Sequence, residues 1–340
     1  MKDTSSKITI VVPFRNVAEN GSDASHFFLQ FLRSLNHISS AVHEVILVND
    51  HSMMELVEPK ENWVQQNWKW LSLKENEFGK KAALKLGIEE ARTEYIWTLD
   101  ADVLIENFSE ENFGNFEIGL KEDLIILPVF MRSENSLLDI LQSNEWRYLQ
   151  FMTRLSAKLK MPMMCNGANL IFKRQVFLDK INSHEHISSG DDMFLLSEVL
   201  REKGSVSLNW ERFCSVNISP SSTWRETLNQ RVRWAGKTTK LPYTRSSFLH
   251  IAFALLSAIH AIAFVGLFQY SLHLICAEFL MLKVLLEVSC MYGIFKVRMN
   301  LREMVVAIPQ MLLYPFFSLL IFISSLFFVP KWKGRRVSLK

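Results

Sequence analysis

Two long stretches without a formal charge, residues 246–276 and 304–330, constrain this chain more than any other feature. About 20 apolar residues cross a bilayer core as an α-helix, and in lipid every backbone N–H and C=O must be bonded within the spanning structure. Both stretches are long enough, so the C-terminal third is expected to be helical and membrane-associated. Three hydrophobic pieces can be drawn, at residues 247–269, 271–295 and 304–329. The middle one carries Glu278, Lys283 and Glu287 near helical spacing, which suits pairing inside a bundle or contact with headgroups. Three full spans would put the basic tail "KWKGRR" (331–336) outside, against the tendency of Lys and Arg to stay on the cytoplasmic side. Two spans resolve this, with one piece lying in the interface or forming a re-entrant hairpin around Pro309 and Pro315. The alternative is that these helices make a soluble core or an oligomer interface.

The first two-thirds reads differently. Four short apolar runs, "KITIVVPF" (7–14), "HEVILVND" (43–50), "YIWTLD" (95–100) and "DLIILPVF" (123–130), alternate with longer segments. Of these segments, "HFFLQFLRSL" (26–35) and "GKKAALKLGIEEA" (79–91) have helical spacing. Near-continuous apolar strands alternating with helices predict β-α-β-α-β in an α/β doubly wound, mostly parallel sheet with helices on both faces. Ligands in such sheets sit beyond the carboxyl ends of the strands. Three of the runs end there in polar residues: Arg15 and Asn16, Asn49 and Asp50, Asp100 and Asp102.

Several function classes are excluded or disfavoured. A net charge of +3 without a basic stripe interleaved with aromatics argues against nucleic acid. Four cysteines without CxxC spacing argue against a structural zinc site or a disulfide framework, and fit a reducing cytosolic setting for the first two-thirds. The N-terminal residues lack the apolar core of a signal peptide. "GKKA" (79–82) lacks the upstream Gly and the following Ser or Thr of a phosphate-binding P-loop. "DADVLI" (100–105) lacks the ligands of a calcium loop at its fifth and sixth positions. A one- or two-carboxylate site for a hard divalent cation remains, beside the plainer reading of a turn.

"VVPFRN" (11–16), "VILVNDHS" (45–52), "GKKAALKLGIEEARTEYIWTLDADV" (79–103), "SGDDMFLL" (189–196) and "QRVRW" (230–234) occur in that order. Together they resemble family 2 glycosyltransferases, inverting enzymes of the GT-A fold that include cellulose, chitin and hyaluronan synthases. The resemblance covers roughly residues 7–240 and the placing of membrane helices after a catalytic domain. It implies a GT-A domain over residues 1–222, an amphipathic interfacial segment over 223–245, membrane helices over 246–330 and a basic cytoplasmic tail over 331–340.

The resemblance also implies roles. Pro13, Arg15, Asn16 and Asp50 fall in the loops that contact the nucleotide, with Asn49 where the family commonly has a second Asp. Lys80 or Lys81 falls near the donor phosphates or base. Asp100 and Asp102 form the DxD pair, with Asp102 as ligand to Mg²⁺ or Mn²⁺ and Asp100 on the ribose or on the metal through water. Gly167 and Asn169, in "MCNGANLIF" (164–172), fall near the donor sugar. "GDD" replaces the usual Glu-Asp, which makes Asp192 the general base and Asp191 its neighbour toward the acceptor. Gln230, Arg233 and Trp234 match the QxxRW motif, suited to diphosphate binding and sugar stacking; a basic aromatic belt is the plainer reading.

The expected partners are a nucleotide-sugar donor, with uridine favoured as the base, a lipid-linked or saccharide acceptor, and a membrane. The expected location is the inner, cytoplasmic membrane, multi-pass, with the catalytic domain facing the cytoplasm. The competing readings are a processive polysaccharide synthase and a non-catalytic nucleotide-binding scaffold.

Overall fold

The structure is a computed structural model that describes residues 6–15, 22–52, 67–132, 136–180, 191–238, 241–294, 297, 299–328, 331–332 and 335–336. It divides into two compact units. The first comprises residues 1–130, 165–219 and 331–340, and the second residues 131–164 and 220–330. The grouping of residues 131–164 with the C-terminal helices was not anticipated.

In the first unit, strands β1 (Ile8–Phe14), β2 (Glu44–Asn49), β3 (Trp68–Ser72) and β4 (Tyr95–Leu99) pair in parallel in the order β3-β2-β1-β4. The helices α1 (Ser22–Ser39) and α2 (Lys80–Glu90) fall on the two predicted helical patterns, and α3 (Glu110–Ile118), α5 (Arg174–Lys180) and α6 (Asp191–Arg201) belong to the same unit. The predicted β-α-β-α-β order lacks β3, which enters between β2 and α2. Its sequence, WKWLS, is only partly buried at an edge of the sheet, so it lacks the apolar run that marks the central strands.

The sheet continues as β4-β8-β6-β9, with β8 (Asn169–Lys173) antiparallel to both β4 and β6 (Leu124–Ile126), and β9 (Val206–Leu208) parallel to β6. The run at 123–130, read as one strand, is two. It breaks at Leu127–Pro128 before β7 (Val129–Met131), which joins a small sheet with β5 (Leu104–Ile105) and β10 (Val216–Ile218). Proline cannot donate to a ladder, so the change of sheet falls at Pro128. Pro13 is accommodated for a related reason: pairing of β1 with β4 ends at Val11, and only the β2 side continues.

Strands β1 and β4 are buried throughout, as expected of a sheet covered on both faces. Helix α2 packs close enough that a Cβ on Gly87 would lie 2.6 Å from Val11 Cγ1 and 3.1 Å from Val48 Cγ2. Glycine there lets the helix sit down on β1 and β2. The C-terminal carbonyls of α2 are covered by Arg174, which donates to Ile88 O and Glu89 O at 2.8 Å each.

Two polar knots fasten the sheet. Asn169 is fully buried: its Oδ1 accepts from Trp97 Nε1 at 2.7 Å, and its Nδ2 donates to Pro128 O and Cys214 O at 2.8 Å each. The implied role of Asn169 at the donor sugar is therefore corrected. Both ends of its amide are engaged inside the protein, tying β4 and β8 to the residues flanking β7 and β10. Asp123 is the second knot. Its Oδ1 lies 2.9 Å from Lys173 Nζ, and its Oδ2 accepts from Ser205 N at 2.8 Å and Ser205 Oγ at 2.9 Å.

The second unit is helical. Helix α4 (Leu137–Lys158) opens on a reciprocal cap between Ser136 and Asp139. It is followed by α7 (Trp224–Thr238), α8 (Arg245–Gly266), α9 (His273–Ser289) with a π-helical turn after it, and α10 (Leu301–Phe327). Helices α8 and α10 are long and apolar enough to cross a membrane, with mean hydropathy 2.2 and 2.0. α10 runs unbroken through Pro309 and Pro315, so the re-entrant hairpin expected there is not formed. Each proline removes one internal hydrogen bond, and the flanking bonds of a long helix carry it through. Of the charges in the middle piece, Lys283 and Glu287 pair at 2.8 Å, one turn apart, whereas Glu278 is exposed. Residues 331–332 and 335–336 form a two-stranded antiparallel ladder.

Two consequences are measurable. Desolvation raises the Asp123 pKa, but the hydrogen bonds from Ser205 and Lys173 outweigh it and hold the carboxyl below its ordinary value. Its contribution is present above the unfolded carboxylate range and is lost as pH falls through the lowered folded value. Asp123→Ala is expected to cost about 1–3 kcal/mol at neutral pH, a deficit that shrinks toward zero on acidification in urea titrations. Asn169→Ala leaves one donor and two carbonyls buried without their partner and is expected to cost about 2–5 kcal/mol. The unfolding midpoint should fall while nucleotide affinity of the folded fraction at low temperature is unchanged.

Candidate active site

Parallel pairing directs the carboxyl ends of β2, β1 and β4 to one edge of the sheet, and the antiparallel β8 brings its start to the same edge, with Asn169 opposite Leu99. The residues at these ends form a row. Arg15, just after β1, has its Nη1 3.6 Å from Asp50 Oδ2, just after β2; the Asp50 side chain is 2% exposed. Asn49 closes the turn instead, its Oδ1 accepting from Ser52 N at 2.9 Å. His51 adopts a left-handed backbone conformation (φ 51°), its ring contacts Glu77 O at 2.8 Å, and it packs on Phe78. The loop after β2 is thereby tied to the loop before α2.

After β4, Ala101 and Val103 are buried while Asp100 is half-buried and Asp102 exposed. Alternation through this turn therefore sends the two apolar residues inward and leaves the two carboxylates toward solvent. Val103 N closes the turn on Asp100 O at 3.4 Å. Lys80, the first residue of α2, brings its Nζ 2.5 Å from Asp100 Oδ1, and Lys81 beside it is half-buried. The helix held down by Gly87 is thus also the element that delivers Lys80 to the carboxylates.

Asp192 is the second residue of α6 (Asp191–Arg201). Its Oδ2 accepts from Gly167 N at 2.9 Å and its Oδ1 from Met193 N at 2.8 Å. The Cys165 thiol donates to Asp192 O at 3.2 Å. A Cβ on Gly167 would lie 3.3 Å from Asp192 Cβ, so glycine lets the loop before β8 reach the carboxylate. Pro13 is buried within β1. Asn16 and the side chain of Asp191 lie outside the described residues. The structure therefore brings Arg15, Asp50, Lys80, Asp100, Asp102, Gly167 and Asp192 to one edge. Among the described residues, no group of three or more His, Cys, Asp or Glu side chains is placed to hold a metal ion.

Gln230, Arg233 and Trp234 lie on α7 in the helical unit, each half-buried. The anchor of that helix is a residue the motif reading passed over. Arg231 is buried, with Nε and Nη2 2.8 and 2.7 Å from Glu145 Oε2 on α4. Its guanidinium lies 4.5 Å from the centre of the Trp234 ring, and Trp234 in turn packs on Trp146 at 5.9 Å. Arg231, which lies inside "QRVRW" but at none of the positions that match the motif, belongs to an internal ion pair. The acidic partner in "NEWRY" (144–148) is 86 residues away, and nothing local in the sequence announces it.

The sequence from residue 9 to residue 178, half of the chain, matches the family described as Glycosyl transferase family 2. No curated protein matches the chain. Among solved structures, S. aureus TarS 1–349 alone and in complex with UDP each align at 13% identity and a TM-score of 0.45, and the complex with UDP-GlcNAc at 14% and 0.44. Each alignment covers 98% of this chain and 97% of that one. On the family match, this chain belongs to glycosyl transferase family 2 and is a glycosyltransferase.

Proposed function

We propose that the chain transfers a sugar from a nucleoside-diphosphate donor, with uridine as the base, to a lipid-linked or membrane-proximal hydroxyl, inverting the anomeric centre. The observation that carries this reading is the row of polar groups along one sheet edge, running from Arg15 and Asp50 through Lys80 and Asp100 to Asp192. A nucleotide laid along such an edge meets a carboxylate suited to a ribose diol or base edge at Asp50, and an ammonium suited to phosphate at Lys80.

Asp192 serves as the general base. Two backbone N–H groups hold its carboxylate in one orientation, so its remaining lone pairs are presented without a search over rotamers. It takes the proton of the acceptor hydroxyl as that oxygen bonds to the anomeric carbon. The bond to the diphosphate breaks on the opposite face. A single displacement of this kind inverts the centre.

The turn at Asp100–Asp102 fits a hard divalent cation: it offers two carboxylates two residues apart, Asp102 exposed and Asp100 half-buried beside Lys80, and such ions take one or two protein carboxylates and complete their shell with phosphates and water. Asp102, with Asp100, would hold Mg²⁺ or Mn²⁺. The ion's chemistry when bound is neutralisation of the departing diphosphate. α8 and α10 anchor the chain in the inner membrane as two spans, with Arg233, Lys237 and Lys240 before α8 and "KWKGRR" after α10 on the cytoplasmic side. α9, of 17 residues, is the piece that does not span.

Purified full-length chain, assayed with a panel of sugar nucleotides and with Mg²⁺ or Mn²⁺, is expected to transfer from a UDP-sugar with inversion read by NMR. Chelation with EDTA and Asp102→Ala should each suppress turnover. Asp192→Asn should lower kcat by about 10²–10⁴-fold while donor affinity is retained. Full turnover in Asp192→Asn, or a product with retained configuration, would contradict the assignment.

A further inference from the structure

Lys80 Nζ lies 2.5 Å from Asp100 Oδ1, so one of the two carboxylates that the turn after β4 offers a divalent cation already holds an ammonium. Lys80 is the first residue of α2 and Lys81 the second, and the first turn of that helix carries no acidic residue. The N-cap, Gly79, supplies no side-chain bond to the N–H groups there. The start of a helix is its positive end, which favours anions, and two lysines at that end deepen the positive potential instead of offsetting it. A divalent cation approaching Asp100 in the nucleotide-free chain therefore meets like charge at short range, and the repulsion is twice that felt by a monovalent ion.

A diphosphate reverses the sign of that field. The Lys80 and Asp100 side chains are 26% and 31% exposed, and ion pairs this open to water are weak. The lysine ammonium is a compact charge on a flexible stem, so it can turn from the carboxylate to a phosphate oxygen without a backbone shift. The N–H groups at the start of α2 favour the same anion. Once Lys80 has turned, Asp100 has lost its ammonium partner and the added phosphate charge attracts a cation to the turn. The two carboxylates alone are few for such an ion, which ordinarily draws further ligands from phosphate and water.

We infer that Lys80 is a positioning residue that closes Asp100 to divalent cations in the nucleotide-free chain and releases it when a diphosphate binds, so that nucleotide and metal enter in that order with positive coupling. The inference rests on the proposed reading of this sheet edge as a nucleoside-diphosphate and metal site. Its test reads binding, not turnover. Mn²⁺ binding to the purified full-length chain is followed by the EPR signal of the unbound ion without nucleotide, because UDP itself binds Mn²⁺, and UDP binding is followed by calorimetry in EDTA. The unmodified chain should bind UDP in EDTA and hold Mn²⁺ weakly without nucleotide. Lys80→Met should bind Mn²⁺ at least about tenfold more tightly without nucleotide and UDP in EDTA more weakly. Lys80→Arg, which keeps the charge, should behave as the unmodified chain, and adding Asp102→Ala to Lys80→Met should remove the gain. Equal Mn²⁺ affinity of the unmodified chain and Lys80→Met, with UDP-dependent Mn²⁺ binding still lost in Asp102→Ala, would overturn the inference and leave the proposed metal site standing. Mn²⁺ binding that Asp102→Ala changes neither with nor without UDP would overturn both. If Lys80→Met does not fold, the unmodified chain decides: Mn²⁺ binding as tight without UDP as with it, and abolished by Asp102→Ala, would overturn the inference alone.

Discussion

Strand direction is the constraint from which the rest of the first unit follows. Three central strands run parallel, so each must leave the sheet at the same edge, and whatever polar residues end them are gathered there without any further device. The antiparallel β8 adds its own beginning to that edge, and with it Gly167 and the carboxylate of Asp192. Residues distant in sequence, at 15, 50, 100 and 192, become neighbours along one rim because of hydrogen-bonded backbone. Their side chains need only finish the arrangement, through pairs such as Arg15 with Asp50 and Lys80 with Asp100.

The helical unit follows another logic. Its long helices are apolar outward, yet α4 buries Gln142, Asn144 and Glu145. These groups are satisfied by partners elsewhere in the unit: Ser221, just before α7, for Gln142, Glu303 on α10 for Asn144, and Arg231 on α7 for Glu145. Arg147 and the buried Glu303 add a further pair at 2.8 Å. Ion pairs of this kind add little net stability over apolar packing, but removing one member is costly, so they fix which helices meet and in what register. α7, which carries Gln230, Arg233 and Trp234, inherits its orientation within this unit from Arg231.

Much of this was legible in the sequence, for identifiable reasons. The strands β1, β2 and β4 and the helices α1 and α2 declare themselves by periodicity, and the polar residues that end the strands mark the site. β3 is hidden because an edge strand alternates polar residues into its run, and the split at Pro128 is hidden because apolar residues continue across it. Asn169 shows the limit of motif transfer. Its neighbours Gly167 and Asp192 meet at the sheet edge, but an asparagine one strand position further in points its amide into the protein. Arg231 and Glu145 show another limit, since a buried ion pair between distant helices leaves no periodic trace. The two long apolar helices were evident from charge alone, whereas the continuity of α10 through two prolines depends on its length.

The proposed function requires one sheet edge to bind a nucleoside diphosphate between Asp50 and Asp102, with Asp192 beside the sugar. Anomalous scattering from crystals grown with UDP and Mn²⁺ tests this most directly. The expected result is a manganese peak at the Asp102 carboxylate, with diphosphate density reaching from it and the base near Asp50. Well-ordered UDP bound elsewhere on the chain, with no peak at the turn after β4, would contradict it.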